Sequence, residues 1–515
     1  MRGLLISYTL SLLFIYGHAS RILVLGPVAF KSHANFYMDI AKALTDHKHE
    51  VTIVLPYRHG APSNITEIVL PVGEMSTKLP DLFKYGTTGF FKFCGEHCMP
   101  LCFEGLLSDE FKSIDLDDFD ILLMSSWMSE CFYGALDKIN IPYILVQPFG
   151  LEFDYISRDL GNPFFRSFNP HIFLGYSPSG DDGLPFTQRL LGSLLGQFFT
   201  LANWNNFRPN GEMTKLWQQR GLCDDDCPDF YGVRLNASMI IINSIRTSEN
   251  VANPYGPTVV HAGGIHLKPA KTLSQDLKEW IMNSGDSGFI LFSLGSVVKA
   301  SNMPEESRRL LLSVLGSLPH RVLWKWDQDT MENLPDNVHL SKWLPQQDLL
   351  GDARVRLFIT HGGLHSTQEA MFNAVPVVGL PVFSDQYMNM AAVESQGWGR
   401  TLDWNNLTEE NIYEAITDVI NNDKYKLEAT RRSRVIRDQF LAPQDIVNYW
   451  VEYVIRHKGA QHLQSPVKHM PWYKLYNVDV WTSIILCFAL VIYICMLLLK
   501  SLLRCIIRRT KLKKK

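Results

Sequence analysis

Residues 358–371 read FITHGGLHSTQEAM: an apolar run ends at Thr360, His361, Gly362 and Gly363 follow, and the next segment has the composition of a helix. A strand that enters a helix through glycines lets a ligand approach the backbone closely, and it turns the free N–H groups of the first helical turn towards an anion. The stretch therefore predicts a phosphate site, with a plain glycine turn as the alternative.

Two series of short apolar runs, each run followed by a helical segment, extend through the chain. The first series begins with RILVL at 21–25, and the second begins with ASMIIINS at 237–244. This alternation predicts parallel strands with crossover helices, and so an α/β fold of two doubly wound, Rossmann-like domains that face a cleft. The expected divisions are an N-terminal domain at 20–262, a linker at 263–275, a C-terminal domain at 276–435, and helices that pack back across the domains at 436–477.

An apolar segment lies near each end of the chain. Residues 1–19 combine a basic start, an apolar stretch and a small-residue end, which is typical of a secretory signal peptide. The segment 478–500 is long enough for one transmembrane helix, and the basic tail at 501–515 predicts a cytosolic C-terminus and a lumenal body, a single-pass type I topology. Lys511 and Lys513 resemble a dilysine retrieval signal for the endoplasmic reticulum, although a stop-transfer tail explains them nearly as well.

The body of the chain is acidic. The sequence has 49 basic and 52 acidic residues, and eight basic residues with no acidic one follow Leu499, so 41 basic residues remain against 52 acidic ones. This balance argues against a nucleic-acid partner. Three sequons, at Asn64, Asn236 and Asn406, fit a lumenal glycoprotein.

Six of the nine cysteines lie in the body, where an oxidising lumen permits disulfides. Cys94, His97, Cys98 and Cys102 stand at helical spacings and resemble a partial zinc site. Because no second ligand pair follows at zinc-site spacing, we expect neither a metal nor another cofactor.

Side chains suited to a sugar nucleotide surround the HGG stretch. An indole can stack on a base, glutamine and glutamate can hold ribose hydroxyls, and histidine with glycine amides can bind a diphosphate. An aspartate and a glutamine after the next strand can bind sugar hydroxyls. Trp343 is the indole for the base, and Gln346 and Glu369 are the candidates for the ribose. His361 with Gly362 and Gly363 is the candidate diphosphate site, and Asp385 with Gln386 is the candidate sugar site. A core tryptophan and a solvated helix face are the alternatives.

The stretch 343–386, which runs from WLPQQ to FSDQ, resembles the donor-binding signature of the UDP-glycosyltransferases, the membrane-bound enzymes of glucuronidation and glucosylation. The signal peptide, single anchor and dilysine-like tail resemble the same family. The resemblance implies a GT-B fold, a UDP-sugar donor in the C-terminal domain, a small lipophilic acceptor in the N-terminal domain, and inversion at the anomeric carbon. It favours an invertebrate-like member that uses UDP-glucose, with UDP-glucuronate as the alternative, and it allows a homo-oligomer.

By the same resemblance, two serines and a second histidine join the donor site. Ser296 would contact the diphosphate, or would only cap the following helix, and Ser366 would bind the donor as well. His365 departs from the family pattern, which often has asparagine there, but an imidazole can still donate to a phosphate.

Sugar transfer to a hydroxyl needs a base for the proton and groups that stabilise the departing UDP. His33 follows the first strand and resembles the catalytic histidine of the family, so it is the predicted base, although a lone loop histidine is more often a surface residue. The family usually orients that histidine with an aspartate where this chain has Ser125. Glu130 is the predicted substitute, or simply an acid at a helix N-terminus.

Three other classes of protein match parts of the sequence. A nicotinamide-dependent Rossmann enzyme is disfavoured because no G-x-G-x-x-G follows the first strand. A metal-dependent GT-A transferase rests only on Asp327 and Asp329 in a DxD pattern. A catalytically impaired UDP-sugar-binding membrane protein is favoured by Ser125 alone. The aromatic stretches GFFKF at 89–93 and NPFFRSF at 162–168 suggest a lipophilic acceptor, or else core or membrane-facing residues.

Overall fold

Two parallel sheets organise the chain, of which this computed structural model describes residues 19–137, 139–150, 154–171, 183–248 and 253–512. Residues 1–18 of the predicted signal peptide and 513–515 of the predicted tail lie outside the described residues. The chain divides into two units, Met1–Gln464, which holds both sheets, and Ser465–Lys515, and each is described by itself.

The strands of the first sheet are rich in valine, isoleucine and leucine, and most of their residues are buried, as expected for a parallel sheet covered on both faces. In chain order they are β1 (Arg21–Leu25), β2 (Glu50–Leu55), β3 (Ile65–Val69), β4 (Ile121–Ser125), β5 (Tyr143–Gln147), β6 (Ile240–Ile242) and β7 (Val259–His261). They pair in the order β3-β2-β1-β4-β5-β6-β7, and every described pairing is parallel.

The second sheet repeats this plan in the C-terminal part of the unit. Its strands are β8 (Phe289–Ser293), β9 (Arg321–Lys325), β10 (Val338–Ser341), β11 (Val355–Thr360), β12 (Val377–Gly379) and β13 (Gly399–Thr401). They pair in parallel in the order β10-β9-β8-β11-β12-β13.

Helices cover both sheets. With the first sheet the chain forms α1 (Lys31–Asp46), α2 (Leu82–Phe93), α3 (Met99–Leu107), α4 (Asp109–Lys112), α5 (Tyr133–Leu136), α6 (Asp154–Asp159), α7 (Phe186–Phe207), α8 (Glu212–Gln218) and α9 (Phe230–Asn236). With the second sheet it forms α10 (Gln275–Met282), α11 (Glu305–Ser317), α12 (Gln346–Leu350), α13 (Leu364–Phe372), α14 (Gln386–Ser395), α15 (Glu409–Asn421) and α16 (Asp423–Arg437), and α17 (Pro443–Arg456) follows them in the chain.

The strand order reverses at one point in each sheet, between β1 and β4 in the first and between β8 and β11 in the second. In doubly wound sheets a crevice opens at this point, beyond the carboxyl ends of the strands. His33 follows β1, Ser296 follows β8, and His361 follows β11. The topology confirms the predicted α/β fold of two Rossmann-like domains and explains why these distant residues can share one cleft.

The last long helix of this unit returns to the first sheet. Pro443 starts α17, as proline often does at a first helical position. Val447, Val451 and Val454 are fully buried and join a core that contains Ile22 of β1. This packing ties the C-terminal end of the unit to the N-terminal domain.

The part of the chain that the structure describes contains two disulfides, Cys102–Cys131 and Cys223–Cys227. Cys94 and Cys98 are free thiols. Among the described residues, no group of three or more histidine, cysteine or acidic side chains is arranged to hold a metal.

The second unit contains α18 (Trp472–Leu475) and α19 (Val478–Leu512). Within the described residues, Val478–Arg504 is the one segment long and apolar enough to cross a membrane, judged by length and composition. It coincides with the predicted anchor at 478–500.

Candidate active site

A cavity of about 490 Å³ lies where the loops of the two sheets converge. One wall comes from the N-terminal domain and contains His33, and the other comes from the C-terminal domain. Of the predicted site residues, it gathers His33, Ser296, Trp343, Gln346, His361, Gly363, His365, Ser366, Glu369, Asp385 and Gln386. Three predicted site residues, Gly362, Ser125 and Glu130, are not among the described residues that line this cavity.

A hydrogen-bonded group at α12 and α13 forms the corner predicted for ribose. The Gln346 side-chain amide donates to Glu369 Oε2 at 2.6 Å and to Ser366 Oγ at 3.1 Å. Burial raises the pKa of Glu369 to about 7, and the bond from Gln346 opposes this rise. The carboxylate is therefore held in place beside the cavity and changes its charge near neutral pH.

The predicted diphosphate corner lies between β8 and β11. His361 is buried, its Nδ1 has no hydrogen-bond partner in the described residues, and burial followed by the charge of Lys325 lowers its pKa to about 3. A neutral imidazole carries one N–H group, which can donate a hydrogen bond to a phosphate oxygen. Gly363 is the N-cap of α13, so the first amides of that helix face the same corner.

Two glycines are required here by close packing. Gly295 has φ +78°, and a Cβ there would lie 2.5 Å from His361 Cε1. Gly362 has φ +82°, and its Cβ would collide with Met390 at 2.4 Å. Both conformations favour glycine, so Gly362 shapes the turn from behind the cavity wall.

The corner predicted for the sugar is organised by a residue that sequence analysis missed. Asn389 donates from Nδ2 to Asp385 Oδ2 and to the carbonyl of Gly362, both at 2.9 Å. Burial raises the pKa of Asp385 to about 6, and the bond from Asn389 opposes it. The Gln386 Oε1 accepts from the amides of Val382 and Phe383, which leaves its NH₂ group for a ligand.

His365 packs against His266 with ring centroids 4.4 Å apart and ring planes tilted by 32°, and burial lowers the pKa of His365 to about 4. His365 Nε2 is buried without a partner among the described residues. His266 comes from the predicted linker, and only the fold could reveal this contact.

Aromatic rings form the N-terminal wall around His33. Phe30, Trp127 and Phe149 lie with ring centroids 5.4–6.0 Å from the imidazole, and Phe90 also lines the cavity. Burial, with a smaller effect of His365, lowers the pKa of His33 to about 3. His33 is therefore neutral at physiological pH, which a proton acceptor requires.

Neither predicted partner of His33 reaches it. The Ser125 hydroxyl accepts from Tyr37 Oη and donates to the Trp127 carbonyl, both at 2.8 Å, and Tyr37 lies one helical turn beyond His33 on α1. Glu130 lines a separate small cavity beside Arg234, and burial raises its pKa. Among the described residues, no hydrogen bond or ion pair joins His33 to a carboxylate.

The aspartates behind the GT-A alternative are engaged elsewhere. Asp327 accepts from the amide and the hydroxyl of Ser301, and Asp329 pairs with Lys342 at 2.6 Å. Lys325, two residues before Asp327, does line the cavity. Lys325 was not predicted as a site residue, because a lysine at the end of a strand belongs to no recognisable motif.

Comparisons with known proteins place the chain among sugar transferases. The family model described as UDP-glucoronosyl and UDP-glucosyl transferase matches residues 230–515. The chain is 31% identical to UDP-glycosyltransferase UGT5 of Dactylopius coccus over 92% of this chain and 90% of that protein. It is 28% identical to UDP-glucosyltransferase 2 of the same organism, over 97% and 96%, and 31% identical to human UDP-glucuronosyltransferase 2B15, over 76% and 72%.

Solved structures support the fold. A UDP-glucosyltransferase from Polygonum tinctorium superposes with a TM-score of 0.58 at 15% identity, over 85% of this chain and 99% of that chain. UGT2 of Phytolacca americana superposes with a TM-score of 0.57 at 18% identity, over 85% and 100%. The architecture is thus GT-B, and the family model together with the relatives shows that the chain belongs to the UDP-glycosyltransferase family.

Proposed function

We propose that this enzyme transfers a sugar, with inversion, from UDP-glucose to a hydroxyl of a small lipophilic acceptor, with UDP-glucuronate as the alternative donor. The observation that carries the proposal is that His33 lines one cavity together with every predicted donor residue except Gly362. A base and a donor site on opposite walls of a cleft are what an in-line displacement at an anomeric carbon needs.

In the proposed reaction the acceptor oxygen forms a bond to the anomeric carbon while the bond from that carbon to the diphosphate breaks. The acceptor proton passes to His33, and the electron pair of the broken bond leaves on the β-phosphate oxygen of UDP. Trp343 and Glu369 hold the nucleoside, His361 with Ser296 and the first amides of α13 hold the diphosphate, and Asp385 with Gln386 holds the sugar.

The aromatic wall supports a lipophilic acceptor. Phe30, Phe90, Trp127 and Phe149 place apolar surface next to His33, and such rings favour flat phenols and fused-ring alcohols. Two observations support UDP-glucose. The Dactylopius relative matched over 97% of this chain is a UDP-glucosyltransferase by name, and the carboxylate of Asp385 would repel the carboxylate of a glucuronosyl group.

We also propose that the protein is anchored in the endoplasmic reticulum membrane with its catalytic unit in the lumen. The apolar helix Val478–Arg504 followed by basic residues supports this orientation. A homo-oligomeric state stays a prediction.

The test uses the full-length protein in lipid nanodiscs with radiolabelled UDP-glucose, UDP-glucuronate and UDP-galactose against a panel of phenols and steroid alcohols. We expect β-linked product from UDP-glucose and a phenol, and equal turnover when EDTA is present. Binding of UDP without product from any pair would favour the impaired, binding-only alternative, which the comparisons do not support. Preference for UDP-glucuronate would overturn the assignment of the donor.

A further inference from the structure

Two lysines from opposite sides of the cleft converge on one indole. Lys31, at the start of α1, places Nζ 4.9 Å from the centroid of the Trp343 ring, and Lys325, at the end of β9, places Nζ 5.5 Å from the same centroid. Each cation is attracted by the face of the ring. The two ammonium groups are nonetheless close enough to repel each other, and Lys31 lowers the pKa of Lys325 after burial does.

Lys325 is positioned as part of the cavity wall. Its Nζ donates to the carbonyl of Gly295 at 2.6 Å, and Gly295 packs directly against His361. The charge of Lys325 also contributes to lowering the pKa of His361. Asp327 is the one acid among the described residues that acts on Lys325, and it is already bonded to Ser301. A mostly buried cation beside another cation and without an ion pair is costly, unless an anion binds there.

We propose that Lys31 and Lys325 together form the cationic part of the diphosphate site, so that the leaving UDP is stabilised by one cation from each domain. This inference rests on the proposed function and adds two residues to it. Lys325 meets the charge that builds up on the diphosphate as the bond to the sugar breaks. Lys31 and Lys325 come from different domains, so the proposed site needs the two domains to face each other as they do in this structure.

The chain offers a matched control. Lys342 is the immediate neighbour of Trp343 in sequence, but its Nζ pairs with Asp329 at 2.6 Å. Lys342→Met therefore removes a positive charge from the same region without touching the proposed site. Uridine offers a second control, because it keeps the base and ribose of UDP and lacks the diphosphate.

The experiment is calorimetry of UDP and uridine binding to the full-length protein in nanodiscs, for the wild type and for Lys31→Met, Lys325→Met, the double variant and Lys342→Met. Loss of a charge-assisted hydrogen bond is expected to weaken UDP binding roughly tenfold for Lys325→Met and several-fold for Lys31→Met, with uridine binding unchanged. Lys342→Met should bind both as the wild type does. Equal weakening of UDP and uridine in the lysine variants, or no weakening of UDP, would overturn the inference.

Proton uptake adds a readout that a structural role would not change. Burial and then the charge of Lys31 lower the pKa of Lys325 to about 8, with Asp327 opposing them. A bound diphosphate should raise this pKa, so at pH 8 UDP binding should take up about half a proton, measured in buffers of different ionisation enthalpy. We expect the uptake to vanish in Lys325→Met and to remain in Lys342→Met; uptake that persists in Lys325→Met contradicts the inference. If the wild type binds no UDP at all, the proposed function itself fails instead.

Discussion

The side-chain amide of Gln346 donates a 2.6 Å hydrogen bond to the buried carboxylate of Glu369. Burial raises the pKa of Glu369 to about 7 and the bond opposes this rise. An ionised carboxylate can accept from two ribose hydroxyls, whereas a protonated one has less capacity to accept. The charge of one residue should therefore control nucleoside binding across the physiological pH range.

We predict that uridine binds roughly three- to tenfold more tightly at pH 8 than at pH 6, because Glu369 is mostly ionised only at the higher pH. His361 and His365 remain neutral through this range, since their pKa values lie at about 3 and about 4. Titration calorimetry of the wild type and of Glu369→Gln measures the effect. A pH dependence that survives in Glu369→Gln would show that another group causes it.

Trp343 and Asp385 are expected to serve different parts of the donor. Trp343 is 65% exposed, so Trp343→Ala opens no core, but it removes the stacking surface and should weaken UDP binding by ~1–3 kcal/mol. Asp385→Ala should lower turnover with the UDP-sugar and leave UDP binding nearly unchanged. Equal losses of UDP affinity in the two variants would refute this division.

Ser125→Asp is predicted not to accelerate the enzyme. Ser125 is 1% exposed and its hydroxyl bonds to Tyr37 and to the Trp127 carbonyl, so a carboxylate there would be buried beside Tyr37 and would lose the bond to Trp127. We expect lower stability, by about 1–3 kcal/mol on denaturant unfolding, and unchanged or lower turnover. Tyr37→Phe, which removes only the donor to Ser125, is the control. A faster Ser125→Asp enzyme would mean that position 125 does reach His33.

The three sequons allow a test of topology. Asn64, Asn236 and Asn406 are all exposed, although Asn406 Nδ2 already donates to Asp403, so Asn64 and Asn236 are the favoured acceptors. We expect an endoglycosidase-sensitive mass shift that is reduced by Asn64→Gln and Asn236→Gln. Protease added to sealed microsomes should remove only the tail beyond about residue 500. Digestion of the body in intact vesicles would contradict the lumenal orientation.

The sequence was sufficient to predict that most of the candidate donor residues lie together, because they follow one another on neighbouring elements. Trp343 to Gln386 covers only 44 residues, and parallel strands bring their carboxyl ends to one edge. Asn389 could not be predicted because its role consists of side-chain contacts with Asp385 and Gly362. Lys325 could not be predicted because its position at the cavity depends on the order of the strands in the sheet, which the hydrophobic periodicity does not determine.

The relation of His33 to its expected partner could not be predicted either. The sequence places Ser125 at the expected strand end. The rotation of α1 relative to β4, however, determines which α1 side chain contacts Ser125. That residue is Tyr37 rather than His33. Glu130 likewise lies on the expected helix turn and faces another cavity.

The central claim is that His33 takes the acceptor proton in a cleft that holds a UDP-sugar. The most direct measurement is turnover of the full-length enzyme with UDP-glucose and its best phenol, for the wild type, His33→Ala and the control His59→Ala, with UDP affinity measured on the same samples. The account predicts that His33→Ala loses about 10²- to 10⁴-fold in turnover while it binds UDP normally, and that His59→Ala stays active. Full turnover by His33→Ala would contradict it.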